Sequence, residues 1–437
     1  MIKVTFIGAG SIEFTRNVVT DLCNFAELKD DVEIALHDVG EERLRYAEQL
    51  ANRIVVQTGS LARVTASLDR AAALDGADYA INEIQVGGYD ATRIDFDIPA
   101  RYGVRQTIAD TLGIGGIFRG LRTIPVVVGI GRDMARYCPD AYLLNYTNPM
   151  AMLPWAVYAG TPFQRVFGLC HSVRDTHAHL AGLVGLEVDE VDFLTAGFNH
   201  QAFVLRFEHA GESLYPRLRE VLDASPAQGR RVRVEIFRRF GCFPTESSEH
   251  SAEYVPWFMG HDGEIEQFQI FVGDYLARSE ENLRELDATR RELAADGPLD
   301  LEPTSELASE FIHSLETGTE REIYVNVHNR SLVDGGSLID NLPSECCVEV
   351  PCRLDAEGAH PVAVGKLPVQ LAALNRTFLN VVELTVAAAL SEDRSLVYQA
   401  AMLDPNTAAT LTTSQIVAMC DELTAAHGEA LPLGLRA

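Results

Sequence analysis

The chain has 437 residues, 63 of them Asp or Glu against 36 Lys or Arg, for a formal net charge of -27. That excess of negative charge opposes polyphosphate and anionic headgroups, which argues against a nucleic-acid partner or a membrane surface. With 47% hydrophobic and 23% charged residues and no low-complexity tract, the composition is that of a globular protein with a sizeable core.

The first residues, "MIKVTFIGAG", read as a strand and a glycine turn rather than a signal peptide. Eight cysteines lack framework spacing, and Cys346 and Cys347 are adjacent, which suits a reducing compartment. A cytoplasmic protein is expected. Residues 3–7 and 32–36 are β-rich runs separated by a stretch from Ser11 to Glu27 with helical apolar spacing. A helix over 41–57 and strands over 63–68 and 78–84 follow, then a helix through 117–137, a strand over 141–146, a helix from 150 and a strand over 165–170. This alternation predicts an α/β fold with a Rossmann-like doubly wound parallel sheet, covering residues 1–192. After about residue 190 the rhythm changes. "FVLRFEHAGESLYP", "EIYVNVHN" and "SECCVEVPCRL" read as strands of an antiparallel or mixed sheet, and the pattern is helical again from Leu367. Residues 193–437 are expected to form an α+β domain with C-terminal helices.

"FIGAGSIEF" joins the first strand to the first helix, where G-x-G permits a tight turn and brings backbone N–H groups and a helix N-terminus against a pyrophosphate. Gly8, Gly10 and Ser11 carry this signal, although Glu13 stands where the usual third glycine would be. Asp38 at the end of the second strand strengthens it, because a carboxylate there accepts hydrogen bonds from an adenosine ribose and disfavours a 2′-phosphate. The expected cofactor is NAD rather than NADP.

In a doubly wound sheet, ligands collect outside the carboxyl ends of the strands. Asn145, Thr147, Asn148, Cys170 and His171 all fall at such ends. Taken singly, Cys170 reads as a buried thiol and His200, in "AGFNHQAF", as a structural histidine. Together, a thiolate and an imidazole suit a transition metal with open positions for substrate oxygens. The loop "QTIADTLGIGGIFRG" adds Asp110 beside a glycine run that reads as flexible.

The segments "FIGAGS", "QTIADTLGIGGIFRGLRTIP", "LLNYTNPMAM", "GLCHSV", "GFNHQAF", "GCFPTESSEHSAEYVPWF" and "IDNLPSECCVEVPC" together resemble glycoside hydrolase family 4, most closely its α-galactosidase branch. The resemblance implies a lactate/malate dehydrogenase-like architecture, a tightly held NAD⁺, and Mn²⁺ bound by Cys170 and His200. It also implies a small-molecule glycoside as substrate and assembly as a homodimer or homotetramer. His171 matches the place of the general acid, Asn148 a substrate-binding Asn, and Asp110 an acid that supports the base. For the base, the segment offers Glu246, Glu249, His250 and Tyr254, of which Glu246 and Tyr254 are carried as candidates. The implied chemistry departs from the usual pair of carboxylates: transient oxidation at C3, loss of the C2 proton, departure of the aglycone, addition of water and return of the hydride.

The expected activity is hydrolysis of unphosphorylated α-galactosides, because "PTESSEHSAEY" supplies three glutamates and no Arg or Lys for a 6-phosphate. An α-glucuronidase or α-galacturonidase is the alternative within the family, with Arg93, Arg119 or His250 to pair a uronate. A lactate/malate-type dehydrogenase is the alternative outside it.

Overall fold

The structure is a computed structural model that describes residues 1–295, 297–330 and 335–436. Strands β1 (Ile2–Ile7), β2 (Val32–His37), β3 (Arg63–Ser67), β4 (Tyr79–Asn82), β5 (Tyr142–Asn145) and β6 (Val166–Gly168) are parallel, in the order β6-β5-β4-β1-β2-β3. Val4, Phe6, Ile34, Leu36, Ile81 and Leu144 are fully buried, since helices cover both faces of this sheet. Chain direction along the sheet reverses between β1 and β4, and a crevice opens at their carboxyl ends. This is the Rossmann-like doubly wound arrangement that the alternating pattern predicts.

The later strands divide between two sheets. β7 (Asp192–Ala196), β8 (Phe203–His209), β9 (Glu212–Ser213) and β10 (Phe243–Pro244) make a small antiparallel sheet. β11 (Arg321–His328), β12 (Cys347–Asp355) and β13 (Gly358–Pro361) extend the parallel sheet to nine strands, with β11 antiparallel to β6. Their arrival covers the backbone groups that β6 would otherwise leave open at an edge. A bridge between Gly197 and Glu349 ties the small sheet to β12.

Two helices position the site. Gly113–Tyr137 starts four residues ahead of the apolar spacing that announces it, at the glycines of "GIGG". A Cβ on Gly115 would lie 2.7 Å from Ala109, and one on Gly116 would lie 2.8 Å from the Thr111 carbonyl carbon. The glycine run is therefore a close-packed first turn that lets the 106–112 loop press on the helix, not a flexible segment. Among the described residues this is also the one helix long and apolar enough to cross a membrane, and its apolar window is 83% buried inside the fold, as in a core helix. Asp274–Ala294 has no buried residue and a strongly charged sequence, so no apolar stripe announces it. It forms one wall of the crevice.

Candidate active site

The crevice is a cavity of about 1240 Å³ running from Asp38 and Arg43 past Gly8, Gly10 and Ser11 to Asn148 and Asp110. Gly8 has φ +91°, and a Cβ there would sit 3.0 Å from the Glu83 carbonyl carbon. At Gly10 a Cβ would meet Arg43 at 2.6 Å and the Asp38 carboxylate at 2.7 Å. Ser11 opens the helix Ile12–Asn24 without a side-chain cap, so the N–H groups of its first turn stay available to a ligand. Asp38 is held in place: Oδ2 accepts the Gly10 N–H at 2.9 Å and Oδ1 the Gly40 N–H at 2.8 Å. Each oxygen keeps lone-pair capacity for a ribose hydroxyl. A glycine cradle, an open helix N-terminus and an anchored carboxylate fit a dinucleotide.

At the far end of the cavity, Asp110 accepts Asn148 Nδ2 at 3.2 Å and the Thr111 hydroxyl at 2.8 Å. Arg119 donates to the Asn148 carbonyl at 3.2 Å and to the Tyr275 hydroxyl at 3.0 Å. The loop that presents Asp110 is braced from below by Glu253. One of its oxygens accepts the Thr107 hydroxyl at 2.8 Å and the Ile108 and Ala109 N–H groups at 2.7 and 3.3 Å. Burial pushes the Glu253 carboxyl up to about 7 against those donors. Its other oxygen has no hydrogen-bond partner among the described residues, which is where a proton would sit.

Beyond β6, Cys170 Sγ lies 3.2 Å from His200 Nε2. The turn after β7 delivers His200 in the left-handed region, φ +64°, as does the turn before Ser247 for Glu246, φ +66°. Such strain in non-glycine residues concentrates at functional sites. The ligand atoms of His200, Glu246 and His250 lie within 4.8 Å of one another, and Glu246 Oε2 is 2.7 Å from His250 Nδ1. Burial opposes ionisation of Glu246, but His250 and then His200 hold its carboxyl well below the usual range. Glu349, on β12, binds Asn326 at 3.0 Å through one oxygen, while its second oxygen and His200 Nδ1 are buried without partners among the described residues. Burial, then the Glu349 charge, pushes the Cys170 thiol up to about 12. A thiol held neutral beside imidazoles and carboxylates with unmade bonds is a donor set that a divalent cation would complete.

His171 pairs with an acid at the start of the helix Leu307–Thr317. Its Nε2 lies 2.9 Å from Glu306 Oε2, and Glu306 also receives the Tyr146 hydroxyl at 3.2 Å. Tyr254 points into the core, where its ring packs edge-on against Phe198 and Phe378 and its hydroxyl donates to the Asn199 carbonyl at 3.3 Å.

The sequence gives no signal for Glu306, Arg231 or Arg233. The two arginines line a second cavity, of about 510 Å³, together with Ser172, Glu246 and Glu249. Arg231 takes both oxygens of Glu249, at 2.8 and 3.1 Å. Arg233 makes no ion pair among the described residues; it lies over Phe243 and reaches the Thr176 hydroxyl at 3.4 Å. The three glutamates of "PTESSEHSAEY" thus do not form an open acidic ring: Glu249 is neutralised by Arg231, Glu253 braces a loop, and Glu246 faces His250. Glu349 did leave a trace, as an acid inside the apolar run "CCVEVPC".

Residues 3–186 match the family 4 glycosyl hydrolase profile, and residues 195–407 match that of the family 4 glycosyl hydrolase C-terminal domain. The chain belongs to glycoside hydrolase family 4. Within the family it is 42% identical to an α-galactosidase of Bacillus subtilis (strain 168), over 99% of each chain. It is 35% identical to an α-galactosidase of Rhizobium meliloti (strain 1021), over 98% of this chain and 89% of that one. A 6-phospho-α-glucosidase from gut microorganisms, solved with NAD and Mn²⁺, shares the fold at a TM-score of 0.82, with 19% identity and 99% of each chain covered. This family 4 enzyme is a glycosidase, and the dehydrogenase-like sheet is its framework.

Proposed function

We propose that the protein hydrolyses unphosphorylated α-galactosides with NAD⁺ and Mn²⁺ as resident cofactors. The observation that carries this reading is the end-to-end match, at 42% identity, to an α-galactosidase. The crevice and the Cys170–His200 pair support it. Gly8, Gly10, Ser11 and Asp38 would hold the dinucleotide, and Cys170 and His200 the metal. When bound, these groups supply a hydride acceptor for C3 and a Lewis acid for the neighbouring oxygens, which makes the C2 proton removable.

The chain's own residues do the rest. Asn148 orients a sugar hydroxyl, and Asp110 fixes its amide by accepting one N–H. Glu246, an ionised acceptor beside His250, takes the C2 proton. Tyr254 is committed to the Asn199 carbonyl inside the core, so the base role rests on Glu246. His171 supplies a proton to the leaving oxygen, with Glu306 orienting its ring through the 2.9 Å contact at Nε2.

Of the three arginines lining the second cavity, Arg231 pairs with Glu249 and Arg278 with Asp274. Arg233, the one of the three without an ion pair among the described residues, is by itself a poor match for a phosphate dianion. The same residue favours a second reading, an α-galacturonide, whose carboxylate needs a single guanidinium. The test is kcat/KM on p-nitrophenyl α-galactoside, its 6-phosphate and the α-galacturonide, each with and without NAD⁺ and Mn²⁺. Preference for the 6-phosphate overturns the proposal, and preference for the uronide moves it to the second reading. The proposal includes a cytoplasmic homodimer or homotetramer, which analytical ultracentrifugation and cell fractionation check.

A further inference from the structure

Glu83 follows β4 at the middle of the large cavity, beside the Gly8 turn and between Asp38 at one end and Asn148 at the other. It is 8% exposed. The Thr15 hydroxyl, in the first turn of the helix Ile12–Asn24, shares its one proton between the Ala9 carbonyl at 2.9 Å and Glu83 Oε1 at 3.1 Å, and Oε2 has no partner among the described residues. No cation answers it among the described residues. Arg16 pairs with Glu292, Arg70 with Asp133, Arg43 donates to the Gly10 carbonyl, and Arg119 serves Asn148 and Tyr275. The titratable groups around it are Asp38 and His37 at the end of β2, Tyr146 after β5 and Glu306 before the helix Leu307–Thr317. The His37 ring is bound to the Ser67 carbonyl at 3.0 Å.

An ionised carboxylate here would be buried, half-satisfied and next to two other acids. Burial, with the charges of Glu306 and Asp38 behind it, holds the Glu83 carboxyl well above the usual range, and the Thr15 bond opposes this without reversing it. A neutral carboxylic acid carries a donor that a carboxylate lacks. The dinucleotide presents acceptor oxygens at this point: in a doubly wound sheet its pyrophosphate lies over the first glycine turn, and the sugar on the nicotinamide side follows toward β4 and β5.

We propose that Glu83 is a cofactor-binding residue that acts as a neutral carboxylic acid, donating its O–H to a pyrophosphate or ribose oxygen of the dinucleotide. Binding then weakens as pH rises, because the ionised side chain loses its donor and repels the pyrophosphate. The proposal rests on the NAD reading of the crevice, and the experiment separates the two.

Calorimetry of NAD⁺ and of ADP-ribose binding is run on the full chain between about pH 6 and about pH 9, with folding checked at each pH by thermal melting. For the parent, Kd should rise toward high pH, by up to about tenfold per pH unit once the carboxyl ionises, and equally for both ligands. Glu83→Gln keeps a donor and cannot ionise, so its affinity should stay close to the low-pH parent value with a flat profile. Glu83→Ala should weaken binding about tenfold with a flat profile. An affinity that increases with pH, as a carboxylate facing the pyridinium would give, overturns the role. So does a Gln variant that keeps the parent's slope, a test that stands even if the Ala variant does not fold. A parent that binds neither ligand at any pH overturns the NAD reading itself, and the role of Glu83 with it.

Discussion

The crevice proposed to hold the dinucleotide takes its shape from backbone: a glycine turn, an uncapped helix start and Asp38 pinned by two N–H groups, all within residues 8–40. The Cys170–His200 cluster takes its shape from side chains delivered by distant segments, with Cys170 after β6, His200 after β7, Glu246 and His250 around residue 248, and Glu349 on β12. The first offers a ligand groups that every residue carries and excludes larger side chains. The second offers donors that only particular residues carry and tolerates strained backbone to converge them. A substitution in the crevice should therefore change affinity by a bond or two, whereas one in the cluster should remove a function.

The largest expected effect tests that contrast directly. Cys170→Ser and His200→Ala should each lower Mn²⁺-dependent turnover by more than about a thousandfold, the loss of a Lewis acid, while leaving NAD⁺ affinity unchanged. Metal titration and calorimetry on the same preparations check it, and unchanged Mn²⁺ affinity in both variants would remove the metal assignment. Next comes the brace between the two regions. Glu253 titrates at about 7 in the fold against an ordinary 4.5, so the fold favours its protonated form. Its contribution to stability is whole below about pH 4.5 and is lost as pH rises through about 7, a change of about 3 kcal/mol. Glu253→Gln should lack that loss, and urea unfolding of parent and variant at about pH 4.5 and about pH 8 measures the difference. On the crevice side, Asp38→Ala should weaken NAD⁺ binding by about 1–3 kcal/mol through lost charge-assisted bonds. If the parent prefers NADP⁺ in the same calorimeter, the ribose assignment is wrong. The smallest effect is a control outside both regions. Arg93 is a surface residue paired with Asp97 at 3.4 Å, and Arg93→Ala should move stability by no more than about 0.5 kcal/mol and leave the substrate ranking unchanged.

The same contrast explains what could be read in the sequence. Local signals were sufficient for the crevice: a strand, G-x-G, a helix and an acid after the next strand occupy one short βαβ unit. The alternation of strands and helices gave the parallel sheet in the same way. Periodicity identifies a strand but not its partner, so nothing in "EIYVNVHN" showed that it would pair with β6. The cluster was half legible, because Cys170 and His200 are unusual donors at strand ends, and the resemblance joined them across thirty residues. Arg231, Arg233 and Glu306 are ordinary charges that a pattern reading leaves in solvent, and only the fold brings them to a site. The glycines after Leu112 misled for a physical reason: glycine marks both freedom and close packing, and here the packing against Ala109 and Thr111 decides.

The pairing of Asn326 with Gly168 also bears on how the molecule is made. A ribosome releases β6 long before β11 exists, so the nascent parallel sheet waits with one margin open while more than a hundred further residues emerge. β6 is only three residues long, which leaves little for a neighbouring nascent chain to grip. Completion of the sheet thus becomes a late event in biogenesis, set by the arrival of its most distant strands.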